Sequence, residues 1–139
     1  MAAYAGDLSP QDAWNLLESE PAAVLVDVRT SAEWTYVGVA NLSPLNKKPV
    51  FLEWQQFPDG TRNDRFAEEL DNLGIDHGVP ILFLCRSGAR SAAAAKLMTQ
   101  RGYERCYNIS EGFEGDPDPD RHRGRVNGWK VRGLPWIQN

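Results

Sequence analysis

The sequence lacks the features that mark several large classes of protein. No apolar run in its 139 residues approaches the roughly 20 that a membrane-spanning helix requires. Acidic residues outnumber basic ones and the formal net charge is −4, which argues against a nucleic-acid surface, because neutralising phosphates requires a basic face. Residues 1–10 show neither the basic segment nor the apolar core of a secretory signal, so we expect a cytoplasmic protein.

Metal-binding patterns are also missing from the sequence. The two histidines, His77 and His122, lie in predicted loops with no second ligand at metal spacing. Asp116, Asp118 and Asp120 alternate like the first ligands of a calcium loop, but the turn glycine and the closing glutamate of that motif are not there. We therefore expect no metal site and no cofactor.

Cysteine occurs only twice, at Cys85 and Cys106. In a reducing compartment we expect free thiols rather than a structural disulfide. Cys106 lies inside a short predicted strand, where packing is the expected role, and the alternative is a resolving thiol that attacks an oxidised Cys85. Cys85 lies in a basic turn, which favours a reactive thiol.

The chain does have enough apolar residues, 42% of the total, to fill one core. Strand and helix signals alternate along it. Ser9 with Pro10 starts a first helix, and Thr30 with Glu33 forms a capping box for a second. Between them, residues 24–28 are apolar at nearly every position, as in a parallel strand that is covered on both faces.

The same alternation continues in the second half of the chain. Asn63 or Asp64 is expected to cap a third helix that ends at Gly74. Residues 81–84 read as a buried strand, an alanine-rich helix comes next, and a short strand over 105–109 follows.

Three stretches give weaker patterns. Prolines interrupt residues 39–57, where we assign no element. Residues 111–128 combine glycines, prolines and many charges, and we expect an irregular loop. Residues 129–132 are predicted to form a last helical turn.

These signals predict a single α/β domain over residues 1–139, with a mainly parallel central sheet and helices on both faces. In such sheets the functional crevice lies at the carboxyl ends of the strands, which is where Cys85 falls. The loop 111–128 is expected near the same edge.

The most informative stretch is the turn Cys85-Arg86-Ser87-Gly88-Ala89-Arg90-Ser91, between the buried strand and the alanine-rich helix. Unpaired N–H groups at a helix N-terminus carry about half a positive charge and stabilise a thiolate or a bound anion. Gly88 permits a backbone conformation in which successive N–H groups point inward, and Arg86 and Arg90 add formal charge. We therefore interpret Cys85 as a nucleophile presented to an anion.

With this turn, with residues 24–29 followed by Glu33, and with the closing Gly133-Leu134-Pro135-Trp136, the chain resembles the rhodanese superfamily of single-domain sulfurtransferases. The resemblance covers most of the chain. It implies a thiolate at Cys85 that takes a sulfane sulfur from thiosulfate or a persulfide donor, holds it as a persulfide, and passes it to cyanide or a thiol. No general base is required, because the nucleophile is already ionised and the leaving group is a stable anion.

The resemblance also implies roles for residues around the cysteine. The N–H groups of the turn would hold the substrate, and Asp27 and Arg29 would brace the site without taking part in the chemistry. The turn residues concerned are Arg86, Ser87, Gly88, Ala89 and Arg90. The implied partners are a small sulfur donor and a thiophilic acceptor, with a protein donor or acceptor as a further possibility; nucleic acid and membrane are not expected.

The chain departs from the family pattern in two places. Gly38-Val39 stands where members commonly have Gly-His, so a packing histidine is missing. Ser110-Glu111-Gly112 stands where they commonly have paired glycines, and the 111–128 insertion follows. This insertion is a candidate for part of the active-site rim.

Two other interpretations stay open. Cysteine phosphatases and arsenate reductases of the same fold have a Cys-x5-Arg loop, whereas Arg90 follows Cys85 after four residues and position 84 is leucine rather than histidine. The other is a non-catalytic interaction module, since exposed aromatic side chains often anchor a partner. The tryptophans that leave room for it are Trp14, Trp34, Trp54, Trp129 and Trp136.

Overall fold

A computed structural model describes residues 3–138 as an α/β fold built on a five-stranded parallel sheet. The strands are β1 (Gly6–Leu8), β2 (Val24–Asp27), β3 (Val39–Ala40), β4 (Val50–Phe51), β5 (Ile81–Leu84), β6 (Cys106–Ile109) and β7 (Trp136–Ile137). The helices are α1 (Pro10–Ser19), α2 (Ser31–Tyr36), α3 (Phe66–Asp71) and α4 (Ala89–Gln100), with a 3-10 turn at Ser43–Leu45. The sheet order is β1-β6-β5-β2-β4, and β3 pairs antiparallel with β7 apart from it.

The central strand β5 shows how the sheet divides the core. Ile81, Phe83 and the following Cys85 face α3 and α4, whereas Leu82 and Leu84 face α1. This alternation follows from the two-residue period of a strand. Both faces are covered, as the apolar runs predicted, and the sheet can therefore be apolar along nearly every strand residue.

Local signals correctly predicted most of the helices. Ser9 accepts a hydrogen bond from the Asp12 N–H at the start of α1, and Thr30 and Glu33 form the reciprocal capping box of α2. The alanine-rich helix and the strands on either side of it also lie where the sequence predicts them.

The predicted cap of the third helix is wrong. The helix α3 begins at Phe66, and Arg65 occupies the capping position without a side-chain hydrogen bond. Asn63 lies three residues before the helix: its Oδ1 accepts from the Arg65 N–H in the preceding turn, and its Nδ2 donates to the Glu53 carbonyl and to Glu69.

The sequence did not predict the strands of only two or three residues. These are β1, β3, β4 and β7, whose pairing supplies hydrogen bonds that no local pattern reveals. Residues 111–128 contain no helix or strand, as expected, and residues 129–132 form a turn rather than a helix. None of the helices in the part of the chain that the structure describes is long and apolar enough to cross a membrane.

Candidate functional site

Cys85 lies immediately after β5, where the strand ends and the turn into α4 begins. Only 1% of its surface is exposed. Its Sγ accepts hydrogen bonds from the backbone N–H groups of Gly88, at 3.2 Å, and Ser91, at 3.4 Å. The sulfur therefore sits within the ring of N–H groups that opens the helix, as the sequence predicts.

Glycine at position 88 is required by both conformation and space. Gly88 has a φ of 108°, in the region that side-chain-bearing residues avoid. A Cβ there would also collide with the carbonyl oxygen of Ser110. The same holds for Gly112, with a φ of 70°, where a Cβ would collide with the Arg86 carbonyl. These two glycines let the turn and the following segment pack backbone to backbone.

Four N–H groups of the turn are left without a protein acceptor among residues 3–138. They belong to Arg86, Ser87, Ala89 and Arg90. The turn and the first residues of α4 thus offer several donors close to Sγ, with the positive end of a helix behind them. This arrangement can hold an anionic atom attached to, or placed next to, the sulfur.

The guanidinium of Arg90 is engaged in a bidentate ion pair. Its Nη1 and Nη2 lie 2.7 Å and 3.0 Å from the carboxylate oxygens of Glu33, which joins α4 to α2. Burial raises the pKa of Glu33, but Arg90 and the Thr30 N–H outweigh it, so this pKa lies below its ordinary value of 4.5. The charge of Arg90 is therefore largely matched by Glu33.

Arg86, in contrast, is exposed and forms no ion pair with any residue from 3 to 138. Its backbone is fixed all the same, because its carbonyl accepts the N–H groups of Glu114 and Gly115 at 3.0 Å and 3.1 Å. The exposed side chain of Arg86 thus provides a positive charge that no acidic residue among 3–138 matches.

Asp27 and Arg29, at the end of β2, form a buried ion pair beside the cysteine turn. Arg29 has 0% exposure, and its Nη2 lies 2.7 Å from Asp27 Oδ2 and 2.8 Å from the Gly38 carbonyl. Its guanidinium also lies 4.3 Å from the centre of the Phe113 ring. A pair with this many contacts holds the sheet edge, the turn after α2 and the 111–128 segment together.

A polar network connects Cys85 with the far edge of the sheet. Sγ of Cys85 lies 3.2 Å from the Ser91 hydroxyl, which donates to Asn108 Oδ1 at 2.6 Å. Asn108 Nδ2 then donates to Asp7 Oδ1 at 3.0 Å. Ser91 and Asn108 are buried and Asp7 is exposed, so the network runs from the sulfur to the solvent.

The 111–128 segment lies against the cysteine turn. The Phe113 N–H donates to the Cys85 carbonyl at 2.8 Å. Phe113 and Trp129 are fully buried, and Arg123 donates to the Gly115 carbonyl at 2.6 Å. The segment is therefore packed into the fold and forms one wall around the cysteine turn.

Cys106 lies far from this turn. It is the sheet partner of Ile81, at the opposite end of β5 from Cys85, and it is fully buried. Burial raises the pKa of its thiol to about 11. Both cysteines are free thiols, and Cys106 is placed for packing.

Sequence reasoning missed four residues of this region in their present roles. The capping box and the family pattern both include Glu33, but neither predicts its pairing with Arg90. Ser91, Asn108 and Asp7 were not singled out, although an asparagine in the middle of a buried strand is a signal, because a buried amide needs partners.

The comparisons with known proteins agree with one another. A family model described as the STR4 middle domain matches residues 5–139. The crystal structure of Rv0390 from M. tuberculosis is 49% identical in sequence and superposes with a TM-score of 0.90, covering 98% of this chain and 99% of the other.

More distant relatives carry functional names. A thiosulfate sulfurtransferase, GlpE of Actinobacillus pleuropneumoniae, is 25% identical over 129 residues, 93% of this chain and 90% of its own. The polysulfide-sulfur transferase homodimer of Wolinella succinogenes is 25% identical with a TM-score of 0.64, over 96% and 78% of the two chains. A rhodanese-like domain from Anabaena, 14% identical with a TM-score of 0.63 over 100% and 81%, shares the fold.

Proposed function

Since the chain belongs to the rhodanese superfamily of sulfurtransferases, in the family of the STR4 middle domain, we propose that it transfers a sulfane sulfur through a persulfide on Cys85. The proposed donor is thiosulfate or a persulfide, and the proposed acceptor is cyanide or a thiol. The observation that carries the proposal is the position of Sγ at the start of α4, beside the unpaired N–H groups of the turn.

The reaction has two steps. The Cys85 thiolate attacks the outer sulfur of thiosulfate, the S–S bond of the donor breaks, and sulfite leaves with the bonding electron pair. The acceptor then attacks the outer sulfur of the persulfide, and Cys85 leaves as a thiolate again. No net oxidation of the protein occurs, and no general base is needed in either step.

The turn residues suit the persulfide intermediate. Its outer sulfur carries the negative charge, and the N–H groups of Arg86, Ser87, Ala89 and Arg90 are donors for such an anion. Gly88 keeps the turn in the required conformation. In this proposal the buried pair of Asp27 and Arg29 holds the carboxyl edge of the sheet in place.

The donor is proposed to be small or to present its sulfur on an extended arm. Cys85 is almost fully buried, and the 111–128 segment forms one wall around it. The names of the distant relatives, a thiosulfate sulfurtransferase and a polysulfide-sulfur transferase, are compatible with either. The cytoplasmic location stays a prediction from the sequence.

Intact-mass spectrometry tests the proposal directly. After incubation with thiosulfate and removal of the excess, we expect one added sulfur atom on the wild type and on Cys106→Ser, and none on Cys85→Ser. Subsequent cyanide should remove the added sulfur and release thiocyanate. Absence of added sulfur with thiosulfate and with several persulfide donors would refute the proposal.

A non-catalytic docking module is the second candidate. It is favoured by exposed apolar side chains that line neighbouring depressions on one surface, Phe51 and Ile137 being shared by two of them. The same mass experiment separates the two functions, because a docking module needs no sulfur on Cys85. Hydrolysis of an aryl phosphate that is lost in Cys85→Ser would favour a phosphatase instead.

A further inference from the structure

The donor and the acceptor of each hydrogen bond in the network from Asp7 to Cys85 can be assigned by starting at Asp7. Asp7 is an exposed carboxylate, which at neutral pH only accepts hydrogen bonds. It accepts from Asn108 Nδ2 at 3.0 Å and from the Tyr4 hydroxyl at 2.8 Å. The amide group of Asn108 must therefore turn its nitrogen toward Asp7 and its oxygen toward Ser91.

The direction of the Ser91 hydroxyl proton follows in the same way. Asn108 Oδ1 is an acceptor only, so the single proton of Ser91 points at it across 2.6 Å. The Ser91 oxygen then presents lone pairs, not a proton, to Cys85 Sγ at 3.2 Å. That contact is favourable when the sulfur carries a proton to donate, and unfavourable when the sulfur is an anion.

On these grounds we propose that Asp7 and Asn108 are positioning residues that hold the Ser91 hydroxyl as an acceptor for the Cys85 thiol proton, and so restrain ionisation of the nucleophile. The inference rests on the proposed function, since it concerns the readiness of Cys85 to attack a sulfur donor. The Ser91 hydroxyl can stabilise a thiolate only by rotating toward the sulfur, and that rotation leaves the buried Asn108 oxygen without its donor.

The sheet places these residues together for a structural reason. Asp7 in β1, Asn108 in β6 and Phe83 in β5 are successive register partners across three strands. Their side chains lie on the face covered by α4, where Cys85 and Ser91 also lie. The network thus runs from Asp7 on the edge strand β1 through Asn108 on β6 to Ser91 on α4 and Cys85, and it reaches solvent at Asp7.

Charged groups from other elements also lie near Cys85, and most of them are paired. Arg90 on α4 attracts a Cys85 thiolate, but Glu33 on α2 pairs with it. Asp27 and Arg29 from β2 form a neutralised pair. The thiol is thus set between N–H donors that stabilise the anion and a hydroxyl oxygen that stabilises the protonated form.

The rate of Cys85 alkylation by iodoacetamide, followed against pH, tests the inference without any sulfur donor. Peptide mass spectrometry localises the label, so Cys106 does not contribute. Asp7→Asn can donate as well as accept, which lets the Asn108 amide reverse and frees the Ser91 proton for the sulfur. Asn108→Ala removes the acceptor of that proton. We expect the alkylation midpoint to move to lower pH by about one unit in Asn108→Ala, and by less in Asp7→Asn, where both orientations of the Asn108 amide are available.

Two controls separate the hydrogen-bond effect from a charge effect. Asp7→Asn also removes a negative charge, but Asn108→Ala does not, and a surface charge effect is screened at high salt. We expect the shifts to persist at high salt. Tyr4→Phe keeps the Asp7 carboxylate and should have the wild-type profile; a shift there as large as that of Asp7→Asn would overturn the inference.

Unchanged profiles in Asp7→Asn and Asn108→Ala would also overturn it, as would a shift confined to Asp7→Asn at low salt. If circular dichroism shows that Asn108→Ala does not fold, the alkylation profile of Asp7→Asn at high salt tests the inference by itself. A shift to lower pH supports the inference, and an unchanged profile overturns it. Failure of the proposed function would give a different result. If the alkylation profiles of the variants shift but the wild type forms no persulfide, the role of the network is supported and only the proposed sulfur transfer is refuted.

Discussion

At the scale of single residues, the two arginines of the cysteine turn have different roles although the sequence makes them look alike. Arg90 is matched by Glu33 in a bidentate pair, whereas Arg86 is exposed and has no acidic partner among the described residues. An unmatched charge beside the mouth of a site attracts anions, while a matched one mainly holds its two elements together.

Replacing Arg86 by alanine should therefore discriminate between donors. We expect Arg86→Ala to lower the second-order rate with thiosulfate about tenfold, because the dianion loses its attracting charge, and to change the rate with a neutral persulfide far less. Stopped-flow or coupled assays with the two donors measure the ratio. Arg86→Lys, which keeps the charge, is the matched control and should retain the preference.

We expect a different result for Arg90→Ala when it is measured with the same two sulfur donors. Arg90→Ala breaks the link between α4 and α2, so both donors should lose rate to a similar extent. A loss confined to thiosulfate in Arg90→Ala, or an equal loss with both donors in Arg86→Ala, would contradict this division of roles.

At the scale of elements, the 111–128 segment has no helix or strand, yet it is anchored to the site. Its N–H groups bond the carbonyls of Cys85 and Arg86, and Phe113 packs between Arg29 and Trp136. A segment of this kind is ordered by tertiary contacts together with hydrogen bonds of its own, such as that from the Gly124 N–H to the Glu114 carbonyl at 2.9 Å. Its buried aromatic side chain should carry much of its anchoring free energy.

Phe113→Ala should consequently lower the free energy of unfolding by about 3–5 kcal/mol, the range for removing a buried phenyl ring. Loosening of the segment should also increase the alkylation rate of Cys85. Urea denaturation and timed labelling measure the two effects. Val126→Ala, on an exposed position of the same segment, is the control and should change stability by no more than about 0.5 kcal/mol.

A loss below about 1 kcal/mol in Phe113→Ala would show that the segment is held mainly by its backbone hydrogen bonds. Unchanged Cys85 labelling together with a large loss of stability would show that the segment does not limit access to the sulfur.

At the scale of the whole molecule, the sheet keeps its two cysteines at opposite ends. Cys106 pairs with Ile81, and Cys85 follows four residues later, which places them about 13 Å apart along the strands. A disulfide requires Cα atoms closer than about 7 Å. The fold therefore excludes Cys106 as a resolving thiol unless the sheet opens.

Thiol oxidation of the folded protein should accordingly give no intramolecular disulfide. Diamide treatment followed by non-reducing mass spectrometry is expected to leave Cys106 reduced, because it is buried and its pKa is about 11. Iodoacetamide should label Cys106 only after denaturation. A Cys85–Cys106 crosslink formed under native conditions would contradict the sheet register.

Much of this protein could be predicted from its sequence because the signals are local. The caps at Ser9 and Thr30, the apolar strand before Cys85 and the alanine-rich helix after it depend on residues within one or two turns of each other. The cysteine turn belongs to the same class, since a strand, a glycine and a helix start suffice to form it.

Other features depend on residues that meet only in the folded chain. Arg90 and Glu33 are 57 residues apart in sequence, and Asp7 and Asn108 are 101 apart. The short strands β1 and β7 exist because partners pair with them, and Asn63 donates to the Glu53 carbonyl ten residues earlier. Sequence alone thus determined where the sulfur lies and what surrounds it locally. The tertiary structure decided which charges remain unmatched and which way the hydroxyl beside the sulfur points, because both depend on long-range hydrogen-bond partners.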